Sequence, residues 1–305
     1  MENWQDVNGE IVIDLPEDFD IKANLGYLAR NKNECMFEVE NEIITRVIVV
    51  GAIRTLVQIR VNEFNQMIVQ FLKDPIPQNQ SEYAAIVLYI REWFDLDRDL
   101  TPFYEMASAD PLLNGPVQEF YGLRVIGVPD LFEALCWGIL GQQINLAFAY
   151  TLKRQFVEKF GESIEWNGKE FWIFPTFDQI AQLTPEDLAD IKMTLKKSEY
   201  IIGVAKLMAS GELTKEKLVR LDSHKEAEKS LVKIRGIGPW TANYVLMRCL
   251  RYTSAYPIDD VGLHNAIKHL TGAAKKPAKE ELINLSVRWE NWQAYATFYL
   301  WRVLY

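Results

Sequence analysis

The sequence predicts an α+β protein in which a small antiparallel sheet precedes an all-helical region. Short segments rich in Ile and Val, with partial alternation, occupy the first 61 residues, and polar or glycine breaks separate them. From residue 81 onward, apolar residues recur at helical spacing between helix start and stop signals. No motif repeats with a period of 20 to 50 residues, which argues against a solenoid.

The predicted strands all lie near the N-terminus. They cover residues 10 to 15, 34 to 40, 43 to 50 and 53 to 61. A short helix is predicted over residues 19 to 30, between the first two strands. A break rich in Pro and polar residues from Asp74 to Gln80 ends this part, and Ser81 opens an amphipathic helix that runs toward Phe94.

Capping chemistry predicts three boundaries in the helical region. Asp130 is placed to cap the apolar run from Leu131 to Leu140, because its carboxylate can accept a hydrogen bond from the first turn. Gly161 is a typical stop signal. Thr184 and Pro185 are typical of another helix start.

Length and composition are those of a soluble globular protein with two or three packed units. The chain has 305 residues, 49% hydrophobic and 25% charged. We predict an N-terminal α+β domain over residues 1 to 112 and a helical domain over residues 113 to 305. The first residues include Glu2 and Asp6, whereas a secretory signal peptide begins with basic residues. No apolar run approaches the eighteen residues that a membrane-spanning helix needs. We therefore expect a cytoplasmic protein without a membrane partner.

Cysteine and histidine usage argues against a cofactor. Cys35, Cys136 and Cys249 are far apart and follow no metal-ligand spacing, which is typical of buried thiols in a reducing compartment. The three histidines form no cluster, and neither a phosphate-binding Gly-x-x-x-x-Gly-Lys nor a Gly-x-Ser-x-Gly motif is present. We expect no cofactor and no metal held by side chains.

The strongest functional signal begins with a glycine-rich turn. Gly236 and Gly238 can adopt φ > 0 and so permit a tight turn, while Pro239 suits the first position of the next helix because it has no N–H to leave unpaired. We predict helix, hairpin and helix near residues 231 to 244, with outward N–H groups that suit a phosphate oxygen. Taken alone, such a turn is more often ordinary helix packing.

The residues after the turn make the signal more specific. Trp240 and Tyr244 share one helix face because they are four residues apart. A chain reversal then precedes the paired carboxylates Asp259 and Asp260. The residues alone leave open which carboxylate is functional, and both would be equally typical of a helix cap after Pro257.

With these features the chain resembles the helix-hairpin-helix, Gly/Pro-rich-loop, Asp superfamily of DNA base-excision glycosylases, and within it the AlkA-type 3-methyladenine DNA glycosylase II branch. The resemblance extends to Leu123-Arg124, to Leu131-Phe132-Glu133-Ala134, to Ile139-Leu140-Gly141-Gln142-Gln143, to the segment from Arg288 to Ala296, to Leu300-Trp301 and, more loosely, to the segment from Leu25 to Arg30. It implies two helical lobes that flank a cleft, with the hairpin and the carboxylate at its edge.

The family's chemistry implies a monofunctional DNA glycosylase of base excision repair. Such an enzyme flips an alkylated purine of the 3-methyladenine or 7-methylguanine type out of damaged double-stranded DNA and hydrolyses its N-glycosidic bond. The resemblance assigns the catalytic carboxylate to Asp260, which would stabilise positive charge on the sugar, and leaves Asp259 as the helix cap. Trp240 stands where the superfamily's lyases place a Lys, so we expect an abasic site in an intact strand.

The resemblance also implies a base pocket made of aromatic rings, in a monomeric enzyme. Its members are Tyr27, Trp240, Tyr244 and Trp301, whose electron-rich faces favour cationic alkylated bases. Gln142 and Gln143 are placed to fill the gap that the flipped base leaves. Because relatives often have a bulky apolar wedge at the position of Gln143, the wedge residue stays open.

Net charge is the main objection to DNA binding, since the chain carries −9 with a pI near 5.1. Residues 191 to 260, however, hold thirteen Lys plus Arg against eight Asp plus Glu, a net of +5 around the hairpin. We predict DNA contacts at Gly236, Ile237 and Gly238. The candidate phosphate partners are Lys196, Lys197, Lys206, Lys229, Lys233 and Arg235, with Lys233 and Arg235 foremost. A monovalent cation on the hairpin's backbone carbonyls is implied by the resemblance alone.

Two alternative functions stay open for the sequence. A non-catalytic helix-hairpin-helix DNA-binding protein would use the hairpin as a phosphate clamp and would not need Asp260. A glycosylase of the same fold for oxidised or deaminated bases would keep Asp260, but the missing Lys counts against most enzymes of that kind.

Overall fold

A computed structural model describes residues 3–73 and 75–305 and confirms the predicted α+β class. Asp74, at the start of the predicted break, lies outside the described residues. The N-terminal part is a six-stranded antiparallel sheet in the order β1-β2-β6-β5-β4-β3. Its strands are β1 (Trp4–Val7), β2 (Glu10–Asp14), β3 (Phe37–Glu40), β4 (Ile43–Val50), β5 (Ile53–Val61) and β6 (Gln66–Lys73). Two helices accompany it, α1 (Ile21–Leu28) and α2 (Gln80–Phe94).

The four predicted strands and both predicted helices are present, whereas β1 and β6 were not predicted. In β6, Met67, Ile68 and Val69 are consecutive buried residues. A short apolar run without alternation fits a buried helix as well as a buried strand, so its periodicity does not identify β6. The strand lies between β2 and β5 and pairs with both.

The remainder is mainly helical and carries the functional segments. Its helices are α3 (Thr101–Ser108), α4 (Asn114–Glu119), α5 (Leu131–Leu140), α6 (Leu146–Phe160), α7 (Phe177–Ala181), α8 (Leu195–Ala209), α9 (Lys215–Val219), α10 (His224–Val232), α11 (Pro239–Arg248), α12 (Val261–Thr271), α13 (Lys279–Arg288) and α14 (Gln293–Arg302). Asp130 caps α5, since its Oδ1 accepts the Glu133 N–H at 2.7 Å, and Gly161 ends α6. Thr184 precedes a 3-10 helix (Pro185–Ile191) rather than an α-helix.

One hairpin corrects the expectation that this region is helical throughout. Strands β7 (Glu162–Trp166) and β8 (Lys169–Ile173) are joined by Asn167 and Gly168, whose φ angles are 49° and 74°. Two consecutive positive φ values are typical of a type I′ turn, for which Asn-Gly is the preferred sequence. The hairpin packs on the N-terminal sheet, where Phe171 joins a small apolar cluster with strand residues Val47 and Leu56.

Close packing between α5 and α11 positions the glycine-rich turn. A Cβ atom built on Gly138 would lie 2.6 Å from Cγ2 of Thr241, so only glycine permits this approach of the two helices. At the other end of the chain, α14 is tied to the N-terminal half because the Tyr295 hydroxyl donates to Asp95 Oδ2 at 2.7 Å. The first and the last helices also meet, since the rings of Tyr27 in α1 and Phe298 in α14 have centroids 4.4 Å apart.

Candidate active site and hairpin

The predicted helix-hairpin-helix is formed by α10, a turn and α11. Gly236 has φ 94°, and a Cβ atom there would lie 2.2 Å from Cγ of Tyr200. Both the backbone angle and the neighbouring ring therefore require glycine. Pro239 occupies the first position of α11, as predicted.

Gly238 has a different role from the one expected. Its φ is −89°, so the expectation of a positive φ is wrong here, and it is the N-cap of α11. A Cβ atom at this position would contact nothing within 4 Å. Within the described chain, no acceptor bonds the backbone N–H groups of Gly238 and Trp240. Unpaired N–H groups at a helix N-terminus suit an anion, so the open surface above Gly238 favours close approach of a phosphate.

Ile237 does not face outward. Its side chain is 3% exposed, and its N–H donates to Ile234 O at 3.0 Å. The prediction that it contacts DNA therefore does not fit its geometry, because both its side chain and its amide are engaged within the protein. Ile237 instead anchors the turn in the core.

The candidate phosphate partners separate by exposure. Lys233 is exposed beside the turn, and Arg235 is exposed but paired with Glu199 at 2.6 Å. The prediction that Lys197 contacts a phosphate is wrong. Lys197 is buried, its Nζ donates to Leu140 O at 2.7 Å, and burial lowers its pKa. Because it bonds the C-terminal end of α5, it is not available to a phosphate.

The two glutamines of the loop between α5 and α6 have distinct roles. Gln142 donates from Nε2 to Gly236 O at 2.9 Å and to Thr241 Oγ1 at 3.1 Å. Its side chain thus ties the loop to the hairpin and is not free to fill a gap in DNA. Gln143 is exposed and has φ 57°, so it is the residue of the pair that projects from the loop.

Asp260 lies at the centre of the candidate active site and is 8% exposed. Its Oδ2 accepts the Trp240 indole N–H at 2.8 Å, and its Oδ1 accepts the Trp301 indole N–H and the Leu263 backbone N–H, each at 2.7 Å. Asp260 is therefore also the N-cap of α12, and the assignment of that cap to Asp259 is wrong. Asp259 is exposed and lines the groove beside the glycine-rich turn, together with Lys233 and Gly238.

These contacts determine what the carboxylate can do. An indole N–H only donates, so Trp240 and Trp301 hold both carboxyl oxygens as acceptors. A carboxylate offers about four acceptor positions. Donors in the described part of the chain fill three, which leaves one on Oδ2 for a water molecule or for developing positive charge.

Two of the four predicted pocket aromatics, Trp240 and Trp301, bond this carboxylate, and Tyr244 packs on Trp240. Trp240 stacks on Tyr244 with ring centroids 5.7 Å apart and an interplanar angle of 26°. Tyr27, Tyr244 and Trp301 are 2%, 4% and 8% exposed, whereas Trp240 is half-buried. Trp240 therefore offers the most accessible ring. One face of Tyr27 is covered by the Arg30 guanidinium, 3.6 Å from the ring centroid.

Arg248 was not predicted, although it joins two of these aromatics. Its Nη1 donates to the Tyr27 hydroxyl at 2.7 Å and to the Tyr244 hydroxyl at 3.2 Å, and its Nε donates to Ile126 O. It is 4% exposed. The available signal was its position four residues after Tyr244, on the same face of α11.

A hairpin cation is still a prediction. The carbonyls of Ile234 and Gly236 each accept one hydrogen bond from the protein, from the Ile237 N–H and from Gln142 Nε2. Within residues 3–73 and 75–305, no group of three or more His, Cys, Asp or Glu side chains is arranged to hold a metal.

The site combines a helix-hairpin-helix with a buried carboxylate, because Trp240 on the second helix of the hairpin donates to Asp260 at the start of the next helix. Comparison with known families identifies the family to which this combination belongs. The chain belongs to the HhH-GPD superfamily of base excision DNA repair proteins. The superfamily model matches residues 136–291, and a model described as the 8-oxoguanine DNA glycosylase N-terminal domain matches residues 12–135.

Curated relatives of this HhH-GPD protein cover from about three fifths to nearly all of its length. It is 68% identical over 302 residues to a DNA-3-methyladenine glycosylase of Bacillus subtilis, which covers 99% of each chain. It is 29% identical to DNA-3-methyladenine glycosylase 2 of Escherichia coli, over 59% of this chain and 60% of that one. The predicted AlkA-type family and the predicted enzyme class, a DNA glycosylase of base excision repair, are confirmed.

Solved structures agree on the fold of this glycosylase. A 3-methyladenine DNA glycosylase from Archaeoglobus fulgidus superposes with a TM-score of 0.82 at 25% identity, covering 95% of this chain and 96% of that one. An 8-oxoguanine glycosylase/lyase from Clostridium acetobutylicum, solved with double-stranded DNA, has a TM-score of 0.78 at 20% identity and covers 99% and 98%. In the part of the chain that the structure describes, no helix is long and apolar enough to cross a membrane.

Proposed function

We propose that this glycosylase is monofunctional and hydrolyses the N-glycosidic bond of alkylated purines in damaged duplex DNA, with Asp260 as the catalytic carboxylate. The observation that carries the proposal is the pair of indole N–H groups, from Trp240 and Trp301, that hold the buried Asp260. The substrate class is supported by the Bacillus subtilis relative, which is named a DNA-3-methyladenine glycosylase.

Asp260 acts electrostatically in this proposal. As the bond to the base breaks, positive charge develops on the deoxyribose, and a fixed carboxylate stabilises it more than mobile water would. Because Asp260 is largely buried, the interaction is screened little by solvent. The remaining acceptor position on Oδ2 can orient the attacking water, and the products are a free base and an abasic site.

Trp240 supports the absence of lyase activity. A lyase needs an amine that attacks the sugar and forms a Schiff base. The indole nitrogen of Trp240 is not an amine, and its N–H is already donated to Asp260.

DNA engagement depends on the exposed parts of the site. The free N–H groups of Gly238 and Trp240, together with Lys233, receive backbone phosphate, and Gln143 enters the duplex where the nucleotide leaves it. The flipped base stacks on Trp240. We propose that the enzyme acts as a monomer.

Base release from methylated duplex DNA tests the proposal. We expect wild type and Asp259→Asn to release 3-methyladenine and 7-methylguanine, and Asp260→Asn to lose the activity. Full activity of Asp260→Asn together with loss in Asp259→Asn would overturn the assignment. Borohydride should trap no covalent complex with DNA, and a trapped complex would disprove the monofunctional mechanism.

Oxidised bases are the second candidate substrate class. The match of residues 12–135 to a model described as an 8-oxoguanine DNA glycosylase domain supports it. The same assay with a duplex containing 8-oxoguanine separates the two classes, and we expect alkylated purines to be released faster.

A further inference from the structure

A small cavity lies between two of the predicted pocket tyrosines, Tyr27 and Tyr244, and the sheet residues Phe37 and Arg46, and the proposed function does not yet use it. Its volume is about 50 Å³, so it holds a few water molecules rather than a base. Tyr27, Tyr244, Arg30 and Arg248 are among the residues that line it. Since Tyr27 and Tyr244 are also predicted members of the base pocket, the edge of a flipped base that points inward would meet this group of side chains.

Arg248 determines how the two tyrosine hydroxyls can bond. A guanidinium only donates, so both phenol oxygens accept from Arg248 Nη1. In the described chain, neither hydroxyl has another hydrogen-bond partner. Burial raises the pKa of Tyr244 well above its usual range, so this group keeps its proton. Both hydroxyl protons are consequently without an acceptor among the described residues.

The charged groups around the cavity reinforce this polarity. Arg30 and Arg248 have no carboxylate within salt-bridge distance among the described residues. The two carboxylates that line the cavity, Glu34 and Glu133, both pair with Lys153 at 3.1 Å. The inner end of the pocket therefore presents donors and positive charge, while its carboxylates are occupied.

This arrangement differs from a pocket that selects bases by aromatic faces alone. One face of Tyr27 is occupied by Arg30, so that face is not open to a cationic base. Selection at the inner end then depends on whether the edge of the base accepts hydrogen bonds.

We propose that Arg248 is a positioning residue that directs the Tyr27 and Tyr244 hydroxyl protons toward the base, so that these hydroxyls contribute to the release of purines with an oxygen at C6 and not to the release of purines with an amino group there. A C6 oxygen accepts hydrogen bonds from the two hydroxyls. A C6 amino group is itself a donor, so it forms no such bond with hydroxyls that point their protons at it. A site built to bond one group discriminates against an analogue that leaves buried donors unpaired. This proposal rests on the proposed function and specifies the substrate class of the same site.

Single-turnover release of 7-methylguanine and 3-methyladenine from one methylated duplex tests it. Both substrates carry the charge of the added methyl group, but the first has an oxygen at C6 and the second an amino group. Tyr244→Phe and Tyr27→Phe should each slow 7-methylguanine release by about five- to tenfold and change 3-methyladenine release by less than about twofold. Hypoxanthine, an uncharged 6-oxopurine, should follow 7-methylguanine.

Tyr299→Phe is the matched control, because it removes a buried hydroxyl that does not line the cavity. That hydroxyl donates to Leu123 O at a distance of 3.0 Å. This variant should leave the ratio of the two rates unchanged even if it lowers Tm. Arg248→Met frees the hydroxyls to reorient and should reduce the ratio, while Arg248→Lys, which retains a donor, should restore part of it. If Arg248→Met does not fold, the two Tyr→Phe variants decide the question.

Equal losses for both bases, or no loss for either, would overturn the role of the hydroxyls while leaving the proposed function intact. A wild-type enzyme that releases neither base would instead refute the proposed function. The two failures are therefore distinguishable in the same assay.

Discussion

Replacing Asp260 by Asn keeps the shape of the side chain and exchanges one acceptor oxygen for a donor NH2 group. Oδ1 accepts two hydrogen bonds and Oδ2 accepts one, so the amide nitrogen takes the place of Oδ2. This NH2 group would lie 2.8 Å from Trp240 Nε1, the distance that now separates Nε1 from Oδ2. Both groups are donors, so no hydrogen bond forms between them. A buried donor left without a partner costs about 1–3 kcal/mol. We expect Tm to fall by about 2–4 °C for each kcal/mol lost.

The same substitution removes the negative charge that the proposed mechanism requires. Loss of one preorganised electrostatic contact to a transition state costs about 10²–10³-fold in rate, and we expect at least that loss of base release. Adding Trp240→Phe removes the opposing donor. The double variant should therefore recover Tm relative to the sum of the two single variants, yet remain as inactive as Asp260→Asn.

The assay combines single-turnover base release with thermal denaturation for wild type, both single variants and the double variant. Asp259→Asn is the control, since an exposed residue without such contacts should change stability by less than about 0.5 kcal/mol. Wild-type rates in Asp260→Asn would refute the catalytic role. Additive losses of Tm in the double variant would refute the donor conflict at Trp240.

Three further predictions concern the hairpin and the core. Gly236→Ala should destabilise the protein and weaken DNA binding, because Gly236 has a positive φ and the added Cβ atom would lie 2.2 Å from Tyr200 Cγ. Gly238→Ala, the control, should fold normally. A Gly236→Ala variant with wild-type Tm and affinity would contradict this reasoning. Lys233→Gln should lower the slope of log K against log salt by about 1, measured by fluorescence anisotropy, and an unchanged slope excludes a phosphate contact. Burial alone would raise the pKa of Glu34, but Lys153 holds that pKa below its ordinary value. The Glu34–Lys153 ion pair therefore stabilises the folded state above about pH 4.3, and this contribution is lost as the pH falls further. Tm of wild type should therefore decline between about pH 5 and 3 more steeply than Tm of Glu34→Gln, and parallel curves would show that the ion pair does not contribute.

Local chemistry in the sequence was sufficient for many elements. Alternating Ile and Val identified strands such as β4 and β5, and Asp130 identified the start of α5, because these signals depend on neighbours a few residues away. The hairpin was recognisable for the same reason, since Gly236 and Pro239 are short-range determinants of a turn and a helix start. The β7–β8 hairpin was also readable from Asn167-Gly168 but was missed.

Long-range contacts explain what the sequence left open or assigned wrongly. Lys197 belongs to a basic segment, yet it bonds a carbonyl 57 residues away and is buried. The choice between Asp259 and Asp260 was open in the residues themselves, whereas in the structure Asp260 alone meets the indole of Trp301, 41 residues later. A sequence pattern contains no information about such partners, because chain separation does not determine spatial distance.

The sequence by itself thus determined the fold class, the hairpin and the candidate carboxylates. Only the tertiary structure decided how those parts are bonded. Arg248 reaches Tyr27 across 221 residues of chain, and that contact sets the hydrogen-bonding polarity of the pocket. The physical reason is that helix caps and turns are stabilised within a few residues, whereas a pocket exists only after distant segments pack together and lose their water.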